Sequence, residues 1–248
     1  MMKSMMNNLT HSLLRGAMVW ALAMQGGQAQ AQQGALPADH TPLTAIDIAP
    51  EPDATMIQHA EAVNARLLKV FPKGFALDAS HHPHITMLQR YVRTADLDKV
   101  YVAASKVLAK EKIAGWKLKA VKYYFIPDKE LGLAGIVVEP TANLLKLQRA
   151  LIDAVAPFTM KTGTAAAFVT TPEDPDINQP TIDYIAAFVP KASGKHFNPH
   201  VTVGIATQKY LKAMLAEPFA EFTFAPAGAS VYHLGNYGTA RKQLKVLE

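Results

Sequence analysis

Two short segments of this chain carry the same residue types in the same order. Pro83-His84-Ile85-Thr86-Met87 recurs as Pro199-His200-Val201-Thr202-Val203, more than about a hundred residues later. On a β-strand, side chains at i and i+2 share a face and stand roughly 6–7 Å apart along the chain. Each copy therefore presents an imidazole beside a hydroxyl, with Ile85 and Met87, or Val201 and Val203, turned to the opposite face and a core. Two such strands brought together would gather two histidines and two threonines around one small anion. Imidazole, with an unperturbed pKa of about 6.5, can give or take a proton near neutrality. A threonine hydroxyl can donate a hydrogen bond to a non-bridging phosphoryl oxygen as charge develops there. The kit suits acid–base chemistry on a phosphodiester. A single His-x-Thr carries little information; the whole pentapeptide appearing twice is a repeat that asks for an explanation.

The elements that position these residues follow from hydrophobic period and punctuation. Residues 1–31 read as a secretory signal peptide: Lys3 and Arg15, a short apolar run from Gly16 to Met24, and Ala29-Gln30-Ala31 as a small-x-small cleavage site. The run is too short to span a bilayer. Its removal takes away two of the positive charges behind the net +5 and no acidic residue. The mature chain is then mildly basic, which tolerates an anionic substrate but does not argue for non-specific binding to long nucleic acid. There is no cysteine, so disulfides, thiolate catalysis and cysteine-ligated zinc are excluded. The expected compartment is the periplasm or the medium. Residues 32–52, rich in Pro, Gln, Ala and Thr, read as a linker, and residues 53–248 as the folded domain.

Within that domain, Ile57, Ala60, Val63, Leu67 and Val70 fall at helical spacing, closed by Phe71-Pro72. Phe75 to Val92 reads as extended chain bearing the first motif. A helix runs from Thr94 or Asp96 to about Glu111, a strand from Ala114 to Ile126, a turn at Asp128 to Glu130, and a central strand from Leu131 to Val138. Pro140 opens a third helix, to about Ala156. Gly163–Val169 and Thr181–Val189 are expected as strands, Asn198–Ala206 as the strand of the second motif, Thr207–Ala216 as a helix, and Phe219–Phe224 with Ser230–Leu234 as a closing hairpin. Each half runs motif strand, helix, pair of strands. The expectation is an α+β fold built by duplication: two lobes, two antiparallel sheets flanking a central cleft, helices on the outside.

Paired His-x-Thr motifs on two quasi-symmetric lobes resemble the two-histidine (2H) phosphoesterase superfamily, which includes the 2′–5′ RNA ligase-like proteins and cyclic phosphodiesterases. Tyr232-His233-Leu234-Gly235-Asn236-Tyr237-Gly238 also looks like the final strand of such proteins, a weaker match. The resemblance implies His84 and His200 as catalytic residues, Thr86 and Thr202 as phosphate-binding residues, and no metal or other cofactor. It implies metal-independent opening of a cyclic phosphodiester on a small ribonucleotide or an RNA end. The alternatives are 2′–5′ RNA ligation and non-catalytic binding of phosphorylated ligands. Tyr124, Tyr232 and His196 are candidates for stacking on a base or lining the cleft. His81, His82 and His84 form a local cluster without a carboxylate inside it, so no metal is assigned there. A monomer is expected, with no stable nucleic-acid complex and no membrane attachment once the leader is gone. Which histidine is acid and which is base is open at this level.

Overall fold

In the computed structural model, which describes residues 41–172 and 174–247, nine strands and five α-helices are divided between two antiparallel sheets. The leader at residues 1–31 and the first part of the expected linker lie outside the described residues. The rest of that linker is a correction. Leu43–Pro52 is β1, almost wholly buried, the middle strand of the first sheet. Its run Ala45-Ile46-Asp47-Ile48-Ala49 is apolar except for one carboxylate, as befits a central strand with both faces covered.

α1 (Ala54–Val70) is capped by Asp53, whose carboxylate accepts from the backbone N–H groups of Thr55 and Met56. Met56, Ala60, Val63, Asn64 and Leu67 make its buried stripe. An irregular segment then leads through the first motif into β2 (Leu88–Arg93). α2 (Leu97–Glu111) follows, then the hairpin of β3 (Leu118–Asp128) and β4 (Leu131–Val138). α3 (Ala142–Val155) starts one residue after its cap, Thr141, so Pro140 precedes the helix. β5 is only Thr159–Met160, and the expected strand at Gly163–Val169 is instead a short 3-10 turn at Ala165–Ala167 with irregular flanks.

The expected strand at Thr181–Val189 is a helix, α4 (Gln179–Ala192). Asn178 accepts from the Thr181 N–H, Pro180 occupies the first turn, and Thr181, Ile185 and Phe188 are buried at helical spacing. β6 (His200–Thr207) carries the second motif, followed by α5 (Gln208–Leu215). β7 (Phe222–Phe224) and β8 (Pro226–Leu234) do not form the expected hairpin. β7 pairs with β3, whereas β8 pairs with β1 and with β9 (Ala240–Leu247), a strand the periodicity did not reveal.

The strand order is β5-β2-β1-β8-β9 in one sheet and β6-β4-β3-β7 in the other. Both contain the same three-strand unit, β2-β1-β8 and β6-β4-β3; in the first the third strand, β8, arrives from near the end of the chain, and in the second it is the hairpin partner of β4. The helices cross over too. α1, which follows a strand of the first sheet, packs on β6 of the second; α3, which follows a strand of the second, packs with α2 on the first. The duplication is therefore interlocked, and neither half can bury its sheet alone. Gly204, at φ +139°, allows one close approach: a Cβ there would stand 2.9 Å from the Asn64 amide nitrogen.

The sheets join where the motifs meet. Ile85 and Val201, the central residues of the two copies, form an antiparallel bridge, and both are fully buried. Ile85→Ala would open a cavity at this seam. We expect it to lower the unfolding free energy by about 2–5 kcal/mol, read as a lower urea midpoint with unchanged slope; an unaltered midpoint would show that the seam is not under packing constraint.

Candidate active site

The first motif lies in extended chain beside β1: the Ile85 N–H donates to the Pro50 carbonyl (3.0 Å) and the Met87 N–H to the Ile48 carbonyl (3.1 Å). The second motif opens β6, where Val137 faces His200 and Gly135 faces Thr202. The bridge at Ile85 and Val201 runs antiparallel, so His84 stands across from Thr202 and Thr86 across from His200. Cross-strand neighbours of this kind are about 4.5–5.5 Å apart at Cα. All four side chains line one cleft of about 440 Å³.

Each motif strand is held from the opposite half by a buried amide. On α1, Asn64 donates to the Val203 carbonyl (2.9 Å) and to the Phe75 carbonyl (2.9 Å), and accepts from the Leu77 N–H (3.2 Å). On α3, Gln148 donates to the Met87 carbonyl (3.3 Å) and to the Ala192 carbonyl (3.0 Å), and accepts from the Gly194 N–H (3.2 Å). Val203 and Met87 are the fifth residues of the two motifs. Each amide thus ties one motif strand to the loop that leads into the other.

The two imidazoles are oriented alike. His84 Nδ1 lies 2.6 Å from the His82 carbonyl and His200 Nδ1 lies 2.7 Å from the Asn198 carbonyl, in both cases two residues upstream. A carbonyl only accepts, so Nδ1 carries a proton in each ring and Nε2 is left for chemistry. Tyr124 packs edge-on against His200, ring centroids 4.7 Å apart. It can do so because its cross-strand neighbour is Gly135, where a Cβ would stand 2.6 Å from the tyrosine ring.

The surroundings of the two rings differ. Asp47, on β1 and fully buried, brings Oδ2 to 3.3 Å from His84 Nε2. Burial opposes a charged His84, but the Asp47 hydrogen bond and charge, the His82 carbonyl and the charge of Glu51 outweigh it, and the ring titrates above its ordinary value. His200 has no such partner. Burial pushes it down to about 4, the charge on His84 adding to the fall and the Asn198 carbonyl and the charge of Asp47 opposing it. The two rings are thus biased apart, His84 toward the protonated form and His200 toward the neutral one.

The hydroxyls differ as well. Thr86 Oγ1 donates to Asp47 Oδ2 at 2.7 Å, so its hydrogen is already placed. The Thr202 hydroxyl, half-buried in the cleft wall, makes no hydrogen bond to another described residue and is the one available to an incoming oxyanion.

Of the other residues singled out by sequence, Tyr124 and His196 line the cleft, His196 on the exposed turn Gly194–His196. Tyr232 does not. It is buried behind His84, its ring centroid 6.0 Å from the imidazole and its hydroxyl bonded to Glu51, so it supports the ring and has no face for a base. His81 stacks on Phe75 and bonds to Asp78, and no group of three or more His, Asp or Glu among the described residues is arranged to hold a metal ion. Sequence reasoning missed Asp47, Gln89, Tyr184, Lys191 and Tyr237. The signal for Asp47 was present as a lone carboxylate in an apolar run, but that run had been read as linker. Tyr184 was hidden by reading Thr181–Val189 as a strand, and Lys191, just beyond it, by being read as the start of a turn. Tyr237 stands half-exposed at the cleft mouth in the left-handed region (φ 58°), its N–H donating to Thr181.

Comparison with known proteins comes after this geometry. A scan against protein-family models and a search of curated proteins both find no match. Among solved structures the chain is similar to E. coli LigT, in a crystal structure complexed with phosphate (13% identity, TM-score 0.37) and in an apo form (12%, TM-score 0.36). Each comparison covers 83% of this chain and 96% of the other.

The tautomers and charges assigned here are directly measurable. In a ¹⁵N histidine titration of the full chain, both rings should show a protonated Nδ1, with His84 titrating above about 6.5 and His200 near pH 4. Coincident midpoints would contradict the electrostatic difference between the two rings.

Proposed function

We propose that this chain is a two-histidine phosphoesterase that hydrolyses a cyclic phosphodiester on a small ribonucleotide, without a metal. The observation that carries the reading is the pair of repeated motifs bridged at their centres. Two imidazoles with Nδ1 pinned share one cleft, one in the acid form and one in the base form.

The chemistry follows from those states. With a ribose 2′,3′-cyclic phosphate bound, His200 Nε2 takes a proton from water as its oxygen bonds to phosphorus. The bond from phosphorus to one ribose oxygen breaks, and His84 Nε2–H protonates that oxygen. The product is a ribonucleotide monophosphate; His84 ends neutral and His200 protonated, and exchange of one proton with solvent resets both. Thr202 donates to a non-bridging oxygen as negative charge builds on it. Thr86, bonded to Asp47, helps to fix the carboxylate beneath His84.

The rest of the cleft favours a small substrate. Much of its wall is apolar or aromatic, including Ile126, Leu131, Leu133, Tyr184 and Phe188. Among the described residues lining it, Lys191 is the one Lys or Arg, and Asp128 supplies an opposing charge. A binding track for RNA would need a cation for most phosphates it engages, whereas an apolar wall suits one base and one ribose. Ligation, the same chemistry reversed with a 5′-hydroxyl as nucleophile, is the competing reaction at this site. The leader sequence makes the periplasm or the medium the proposed setting.

The test is a panel of nucleoside 2′,3′-cyclic monophosphates with product identification. His84→Ala and His200→Ala should each lower kcat/KM by about 10²–10⁴-fold with the fold intact; near wild-type turnover in both variants would overturn the reading. RNA fragments with 5′-hydroxyl ends, added to the same assay, would reveal ligation as a joined product. The pH profile of kcat/KM should be a broad bell. His200 must be neutral, so activity is lost as pH falls through about 4; His84 must be protonated, so activity is lost as pH rises through its elevated value. An acid limb that stays in the ordinary histidine range would contradict the assignment of His200 as base.

A further inference from the structure

We propose that Asp47 is a positioning residue that keeps the proton on Nε2 of His84, and that it thereby fixes the direction of proton flow, His84 as acid and His200 as base; this rests on the two-histidine reading above. The evidence is a break in the internal symmetry at one matched pair of positions. Asp47 on β1 faces Gln89, which lies three residues beyond Thr86. The equivalent pair in the other sheet is Leu133 on β4 facing Ile205, three residues beyond Thr202. Each pair adjoins its own motif. Where the first half has a carboxylate and an amide, the second has two aliphatic side chains.

The carboxylate is built in. Asp47 Oδ2 accepts from Thr86 Oγ1 (2.7 Å) and Gln89 Nε2 (2.8 Å), and stands 3.3 Å from His84 Nε2. Oδ1 is buried with no partner. Thr86 and Gln89 are neutral donors and do not balance a buried negative charge; an imidazolium does. The 3.3 Å contact is long for a hydrogen bond, so the Nε2 proton is attracted without being tightly held and can turn to a leaving oxygen in the cleft. The other groups facing His84 are few. Glu51 on β1 adds negative charge and is bonded by the Tyr232 hydroxyl from β8. His82 offers its carbonyl from the same segment, His200 faces it from β6, and Tyr184 on α4 faces Asp47. Among these, Asp47 alone brings a charge into contact with the ring. On the other side, Leu133 and Ile205 offer His200 no anion, and its Nε2 lone pair is open to the cleft.

Asp47→Asn keeps the shape and removes the charge. In that variant the alkaline limb of kcat/KM for a nucleoside 2′,3′-cyclic monophosphate should move down by a unit or more, read as about a tenfold loss of activity on that limb. The acid limb should move less, and only downward, because the Asp47 charge also raises His200, and KM should change less than kcat. A fall in kcat with both limbs unmoved would mean that Asp47 is merely structural, and a shift of the acid limb alone would mean that the roles are reversed; either overturns the proposal. A ¹⁵N histidine titration needs no turnover and separates this proposal from the hydrolase reading. His84 should titrate above His200 in the wild type and fall by a unit or more in Asp47→Asn. If the wild-type order is inverted, the proposal fails whether or not the variant folds. If the order and shift hold but no cyclic nucleotide is turned over, the hydrolase reading fails and the role of Asp47 in holding the proton stands.

Discussion

The antiparallel contact between Ile85 and Val201 is the constraint on which the rest depends. These residues are the centres of two copies of one motif, Ile85 in extended chain beside β1 and Val201 on β6 of the other sheet, and both are completely buried. Burying them joins the sheets. Because side chains alternate on extended chain, the same act turns the residues on either side to the opposite face, where they line the cleft. Core and site are two faces of one seam: a slip of one residue would send histidines into the core and aliphatic residues into the cleft.

The architecture around the seam is reciprocal. The first sheet is completed by β8 and β9 from the end of the chain, and each sheet receives a helix from the other side with one buried amide. Asn64 and Gln148 differ in length and lie on different helices, yet they solve the same problem. Each satisfies the carbonyl at the end of one motif and grips the loop leading into the other. A buried carbonyl must find a donor, and these amides supply it from the opposite half, so the position of each motif is conditional on the other being in place.

Against that reciprocity the chemistry is made one-sided. Two identical imidazoles with identical Nδ1 hydrogen bonds would compete for the same role. A carboxylate under one and aliphatic side chains beside the other separate them, so that one is biased to hold a proton and the other to take one. The cost is a buried negative charge with an unpaired oxygen, which is tolerable because the charge it needs is on the catalytic ring itself. The cleft beyond is largely apolar, so charge–charge interaction is concentrated at the reacting end.

Much of this was legible in the sequence, for local reasons. The repeated pentapeptide named the four central residues, and alternation alone placed His and Thr on one face. Helical spacing located α1 and α3, and the turn at Asp128 to Glu130 located the β3–β4 hairpin. Other features depended on context. Pro50 and Pro52 made β1 look like linker, although its apolar run is a buried central strand. The signal of Asn178 and Pro180 at the start of α4 was outweighed by its β-branched residues. Tyr232 looked like a base platform until its hydroxyl was seen turned to Glu51. What the sequence by itself determined was which residue types would share a face, because that follows from the two-residue period of extended chain. Only the tertiary structure decided which imidazole stands beside a carboxylate, because Asp47 meets His84 through strand register and sheet pairing, and no local pattern encodes a contact between residues 37 positions apart.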